Sequence, residues 1–138
     1  MGIFGIFKKK KKQLNALVNT KEDLQWNKMW ELWGDGKIES PYQELMEYFN
    51  GINNSGHYMH FDNIAGNQDL KTYIDALTTI LPQPLKENVE LAYRTYMMNP
   101  DDVSDEDNEI LDQCDDVYYT NEYIMNNILK ERASKIDL

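Results

Sequence analysis

The chain has 138 residues, is 41% hydrophobic and 12% aromatic, and carries a formal net charge of −10. That length can bury a core, and three Trp with nine Tyr argue against full disorder despite the charge. The single cysteine, Cys114, excludes an intramolecular disulfide, and no apolar run approaches the ~18 residues of a membrane-spanning helix.

Residues 1–19 read as a basic and apolar N-terminal segment, with a helix as one form. Ile3, Phe4, Ile6 and Phe7 precede five consecutive lysines, Lys8 to Lys12. The apolar residues come before the lysines, which is the wrong order for a secretory signal, so the expected compartment is the cytoplasm. A frayed or self-packed terminus is the plainest reading. The segment 1–12 also suits weak contact with an anionic membrane, each lysine contributing ~1 kcal/mol. A third reading docks the lysines on an acidic face, in cis or on a neighbour. Gly2 begins like a myristoylation site, but Ile6 stands where Ser or Thr is expected.

Thr20 is a good N-cap, with Glu22 and Asp23 in the first turn. Trp26, Trp30 and Trp33 follow at i, i+4 and i+7, one apolar stripe, and Gly34-Asp35-Gly36 stops that helix. Ser40-Pro41-Tyr42-Gln43 reads as a capping box with Pro at the first helical position. Leu45, Phe49 and Ile52 form the buried face of the helix it starts, which should fail near Asn53-Asn54-Ser55-Gly56. A short element through Tyr58 to Ile64, ended by Gly66, follows. Leu70, Tyr73, Ile74, Leu77, Ile80 and Leu81 keep a helical period up to Pro82, and Pro84 starts the next helix, carried by Leu85, Val89, Ala92 and Tyr96. Ser104 caps a further helix and Thr120 the last. Strand alternation is scarce. The expected fold is all-α: a compact single-domain bundle of about six to seven helices, formed by an acidic helical domain over 20–138.

Charge is unevenly placed. From residue 13 onward nine bases face 24 acids, and between Thr95 and Leu129 ten acids occur with no Lys or Arg. At ~100° per residue, Ile110, Leu111, Cys114, Val117 and Tyr118 share one side of the helix after Ser104. Asp105, Glu109, Asp112, Asp115 and Asp116 point the other way. The ordinary reading is a solvated face. The functional one is a docking surface for a basic protein, favoured because soluble faces usually mix signs. Duplex DNA is a demanding standard for such a surface. Asp105, Glu109, Asp112 and Asp116 span ~16 Å, over which a duplex carries about ten charges, against four here. An EF-hand beginning at Asp105 fails because Ile110 stands where the turn needs Gly.

The most distinctive segment is Asn53-Asn54-Ser55-Gly56-His57-Tyr58-Met59-His60-Phe61-Asp62-Asn63-Ile64-Ala65-Gly66. Its residue types suit an architectural corner: Gly56 and Gly66 permit positive φ or close approach, Asn54 and Asn63 suit turns, and Phe61 suits burial. The segment resembles the Asn-Asn-Gly-Gly-(His/Phe)-x-x-(Phe/Tyr)-Phe-x-Asn-x-x-Gly signature of the bacterial DNA-mimic-protein-like family. Leu111 to Tyr119 resemble that family's closing Leu-x-x-x-Asp-x-x-(Phe/Tyr)-(Phe/Tyr) segment, and Trp30-Glu31-Leu32-Trp33 precedes the motif as a flank. The resemblance spans about residues 24–130 and departs at Ser55 and His60. It implies an all-helical fold and, from the family's named member, an acidic dimer that imitates DNA and binds a transcriptional repressor. Most other members have no known function, and some such small acidic proteins stand beside toxins as immunity proteins.

His57 and His60 are the only histidines. With Asp62 they fall short of a zinc ligand set, and no nucleophile motif or phosphate loop accompanies them. The expectation is a non-enzymatic protein without cofactor or metal. It would occupy a basic site on a protein partner through Asp105, Glu109, Asp112, Asp115 and Asp116, without binding nucleic acid directly. The family motif Asn53, Asn54, Gly56, His57, Phe61, Asn63 and Gly66 would shape the fold. The alternatives are an immunity protein neutralising a basic nuclease toxin and a small metal-dependent enzyme using His57.

Overall fold

The computed structural model describes residues 20–138. The readings of residues 1–19, membrane contact and lysine docking among them, lie outside the described residues. Within these the chain forms six α-helices and no strand, so the protein is all-α. No described helix is long and apolar enough to cross a membrane. The chain divides into two compact units: Ile38–Leu129, and residues 20–37 with Lys130–Leu138.

The second of these units holds α1 (Lys21–Gly34). Its start is the expected one. The Thr20 side chain accepts the Asp23 N–H at 3.2 Å, and the Asp23 carboxylate accepts the Thr20 N–H at 3.3 Å, a reciprocal capping box. It ends at Asp35, and Gly36 turns the chain with φ 71°. Trp26, Trp30 and Trp33 form an edge-to-face ladder with centroids 6.0 and 5.5 Å apart. The fully buried line of α1 runs beside that ladder, through Gln25 and Met29. Gln25 Nε2 donates to the carbonyls of Ser134 (3.1 Å) and Ile136 (3.0 Å), just past the end of α6 (Glu122–Ala133). One amide thus uses both its hydrogens on backbone that has no helical partner.

The other unit contains α2 (Tyr42–Asn67), α3 (Leu70–Thr78), α4 (Gln83–Met98) and α5 (Asp105–Thr120). Helix α4 packs most extensively on α5, and α2 touches α3, α4 and α5. Leu45, Ile52, Phe61, Leu77, Leu85, Val89, Ala92, Leu111 and Tyr118 fill the core. The apolar periods of the sequence in this unit therefore mostly face inward; Phe49, Ile80 and Ile110 are only half-buried, and Val117 is exposed.

Two helix starts differ from expectation. Pro41 is the N-cap residue of α2, and the Ser40 hydroxyl donates forward to the Glu44 carboxylate at 2.7 Å rather than capping an amide. The Gln43 amide that the capping box would have used bonds to the Glu39 carbonyl instead. Thr120 is the last residue of α5, where its hydroxyl donates back to the Asp116 carbonyl at 3.0 Å. By contrast, Asp69 and Ser104 cap α3 and α5 with their side chains, and Pro84 stands at the start of α4 as expected.

The break expected over 53–56 is concentrated at one residue. Asn53 to Ser55 remain in α2, Gly56 alone leaves helical geometry with φ 77° and ψ 177°, and the helix then runs past Gly66 to Asn67. In a straight helix, residues nine apart are separated by ~13 Å along the axis. Here Tyr48 Oη and His57 Nε2 are 2.6 Å apart, and a Cβ on Gly51 would overlap His60 Nδ1. The two halves of α2 therefore fold toward each other at Gly56. Of the two motif glycines, Gly56 needs to be glycine: its φ suits no L-residue, and a Cβ there would meet Asp115 Oδ2 at 2.6 Å. Gly66 has ordinary φ and open space around it.

Gly56→Ala is accordingly expected to cost about 3 kcal/mol, from backbone strain and displacement of Asp115. Gly66→Ala is expected to be neutral or to stabilise by up to ~1 kcal/mol. Urea unfolding followed by far-ultraviolet circular dichroism distinguishes the two.

Candidate functional site

A helix broken in its interior exposes amides on one side of the break and carbonyls on the other. In this protein α5 answers both. Asp115 Oδ1 accepts the backbone N–H of His57 at 2.9 Å, the first amide after the corner, and also lies 2.5 Å from His57 Nδ1. A carboxylate only accepts, so Nδ1 carries a proton. In the neutral ring Nε2 is then left to accept from the Tyr48 hydroxyl at 2.6 Å. On the other side of the break, Tyr118 donates to the Phe49 carbonyl (3.2 Å) and Tyr119 to the Ile52 carbonyl (3.1 Å). Asn53 donates to Phe49 O (2.8 Å) and to Tyr118 Oη (3.1 Å).

Leu111-x-x-x-Asp115-x-x-Tyr118-Tyr119 and the Asn53–Gly66 segment, distant in sequence, thus meet at one corner. His57 and Phe61 are fully buried there, their rings 5.6 Å apart, and Tyr48 and Tyr118 close over His57. Asn54 bonds to Asn50 Oδ1 at 3.3 Å on the exposed side, and Asn63 is exposed. Burial pushes the phenols at this corner upward: Tyr48 lies well above the ordinary tyrosine range. The Cys114 thiol, buried one residue before Asp115, is pushed up to about 11, first by burial and then by the Asp115 charge, which makes it a poor nucleophile.

The five acids of the docking face do not behave alike. Asp105, Glu109, Asp112 and Asp116 are exposed and form a stripe along α5. Asp115 is half-buried, its side chain 24% exposed, and its carboxylate is engaged by His57. At ~100° per residue it sits at the edge of the wheel between Leu111 and Asp112, and α2 abuts that edge. No Lys or Arg forms an ion pair with the stripe among the described residues. The acids of the first turn, Asp105, Glu106 and Asp107, are favoured by the helix dipole, whereas Asp116 near the other end is not. Helix α5 is held from behind as well, since Asn88 of α4 donates to the Cys114 carbonyl at 2.9 Å.

For catalysis the corner offers little access. Tyr48 and His57 are 0% exposed, and both ring nitrogens of His57 are engaged within the protein. Among the described residues no group of three or more His, Cys, Asp or Glu side chains is placed to hold a metal ion. The sequence signal missed here was the Asp115–His57 bond, which joins residues 58 apart. Compared with family models, with curated proteins and with solved structures, the chain matches none.

Asp115→Ala leaves the His57 amide and Nδ1–H without their acceptor and is expected to cost about 3 kcal/mol. Asp115→Asn, which keeps an acceptor oxygen, is expected to cost about half that. Asp112→Asn is expected to stay within ~0.5 kcal/mol of the parent. Chemical denaturation of the three variants measures this difference between an anchoring carboxylate and a solvated one.

Proposed function

We propose that this is a non-enzymatic binding protein whose exposed α5 stripe occupies a basic site on a DNA-binding protein. The observation that carries this reading is the stripe itself. Asp105, Glu109, Asp112 and Asp116 are all exposed, with no Lys or Arg pairing to them among the described residues. Like charges on adjacent turns repel and are unfavourable by a few tenths of a kcal/mol per pair. A basic partner would relieve that repulsion. The hydrogen bonds that join α5 to α2 and α4 keep the carboxylates from dispersing, so little ordering is needed on binding. The full burial of His57 and the engagement of both its nitrogens favour binding over catalysis.

On this reading the stripe steers a basic surface by long-range attraction and competes with nucleic acid for it. Binding weakens as salt rises, because exposed charges are screened over about 8 Å at physiological ionic strength. Four carboxylates over ~16 Å fall well short of the ~ten charges of duplex DNA. The stripe would therefore occupy part of a DNA-binding groove rather than stand in for a whole duplex.

The test is capture from native cells on two baits: the parent protein and a variant carrying Asp105→Asn, Glu109→Gln, Asp112→Asn and Asp116→Asn. The expected result is recovery of a DNA-binding protein by the parent alone, released by added duplex DNA and by salt. Equal recovery on both baits rejects the stripe as the contact surface.

A further inference from the structure

The corner of α2 buries both histidines of the chain, and their surroundings differ. His57 has a carboxylate, Asp115. His60 has none among the described residues: its Nε2 meets the Tyr73 hydroxyl of α3 at 2.7 Å, and its ring packs among Tyr48, Phe61 and Tyr73 with centroids 6.0, 6.1 and 5.6 Å away. Its Nδ1 edge lies against Gly51, on the opposite half of the folded helix. From α5, Cys114, Asp115 and Tyr118 stand by Tyr48 and His57 rather than by His60. From α4, Tyr96 meets Phe61. On α2, the charges of Glu44 and Glu47 act on Tyr73, and the exposed Asp62 accepts the Tyr96 hydroxyl at 2.9 Å.

We propose that this corner is an acid-sensitive joint, in which protonation of His60 unseats the second half of α2 (57–67) from the first and loosens α5, which is bonded across the break. The charge has nowhere to go while the joint is closed. A protonated His60 would sit among three aromatic rings, beside another imidazole and against a glycine backbone, with a phenol as its one hydrogen-bond partner among the described residues. Opening the corner hydrates it. Asp115, Tyr118 and Tyr119 hold α5 to the two sides of the break, so the opening is transmitted to the helix that carries the acidic stripe. The joint does not depend on what that stripe binds.

The direction follows from linkage. Burial, and secondarily the neighbouring His57, lower His60 from 6.5 to about 4 in the closed form. The closed form is therefore fully favoured above pH 6.5 and loses that advantage as the pH falls toward 4, where the effect levels off. Glu47 works the other way. Its carboxyl is raised, chiefly by burial, and it bonds to Gln68 at the far end of α2, so its proton favours the closed form as the pH falls.

The experiment is hydrogen exchange by mass spectrometry on the full chain between pH 7.5 and 4.5, corrected for intrinsic exchange and repeated in a Glu47→Gln background. Peptides covering 57–67 and α5 should open about tenfold more per pH unit below 6.5, as expected for one linked proton, while α1 keeps its protection. His60→Gln should flatten that slope to less than about twofold per unit. An unchanged slope in His60→Gln, or equal loss in α1, overturns the joint. Should that variant not fold, a nuclear magnetic resonance titration of the parent decides. His60 must remain neutral in the folded protein down to about pH 4, and a His60 that titrates near 6.5 with 57–67 still protected overturns the proposal.

Discussion

The Asp115 carboxylate occupies the end of a helix to which it does not belong, and the rest of the larger unit is arranged around that contact. Breaking a helix at an interior residue exposes polar groups that elsewhere in the same core would be paired. Asp115 meets the first of them on the far side of Gly56 with a full negative charge, at the helix end where the dipole favours an anion. The contact also sets what Gly56 can be, since the carboxylate occupies the space a side chain would need. Its second hydrogen bond fixes which nitrogen of His57 carries the proton, and that in turn orients the Tyr48 hydroxyl. A single carboxylate on α5 thus determines a backbone conformation, a tautomer and the direction of a buried phenol.

The same helix performs two tasks on two edges. Leu111, Cys114, Asp115 and Tyr118 turn inward, and Asp105, Glu109, Asp112 and Asp116 turn outward. Four like charges on successive turns would weaken an isolated helix. Here α5 does not rely on its own propensity. Its apolar line lies on α4, and its polar inner edge is bonded to the broken ends of α2. Tertiary contacts of this kind usually supply most of a helix's stability, which leaves the outer edge free to carry an unfavourable charge pattern.

Local rules carried much of the fold in the sequence. The Thr20 and Ser104 caps, the stop at Gly34-Asp35-Gly36 and the inward periods of α3 and α4 all follow from short-range chemistry. The corner was legible as a glycine-dependent break near 53–56. Its sharpness was not, because Asn53, Asn54 and Ser55 are poor helix formers that here stay helical, Asn53 by bonding to Phe49 O and Tyr118. A helical wheel put Asp115 with the solvated acids because a wheel knows angle but not neighbours. Only the approach of α2 to that edge separates it from Asp112. Ser40 and Thr120 failed as caps for a related reason: each hydroxyl found a partner four residues away within its own segment.

Gln25 supplies a different kind of constraint, one of timing. Its two acceptor carbonyls lie 109 and 111 residues later in the chain. At ribosomal rates of about 5–20 residues per second, roughly 5 to 20 seconds separate their synthesis from that of Gln25. Through that interval α1 can wind on its own capping box, but the amide it will bury has no protein acceptor and must stay hydrated. The contacts of Ile38–Leu129 need no residue later than Leu129 and can form first. The unit that begins earlier in the chain is therefore the one completed last during translation.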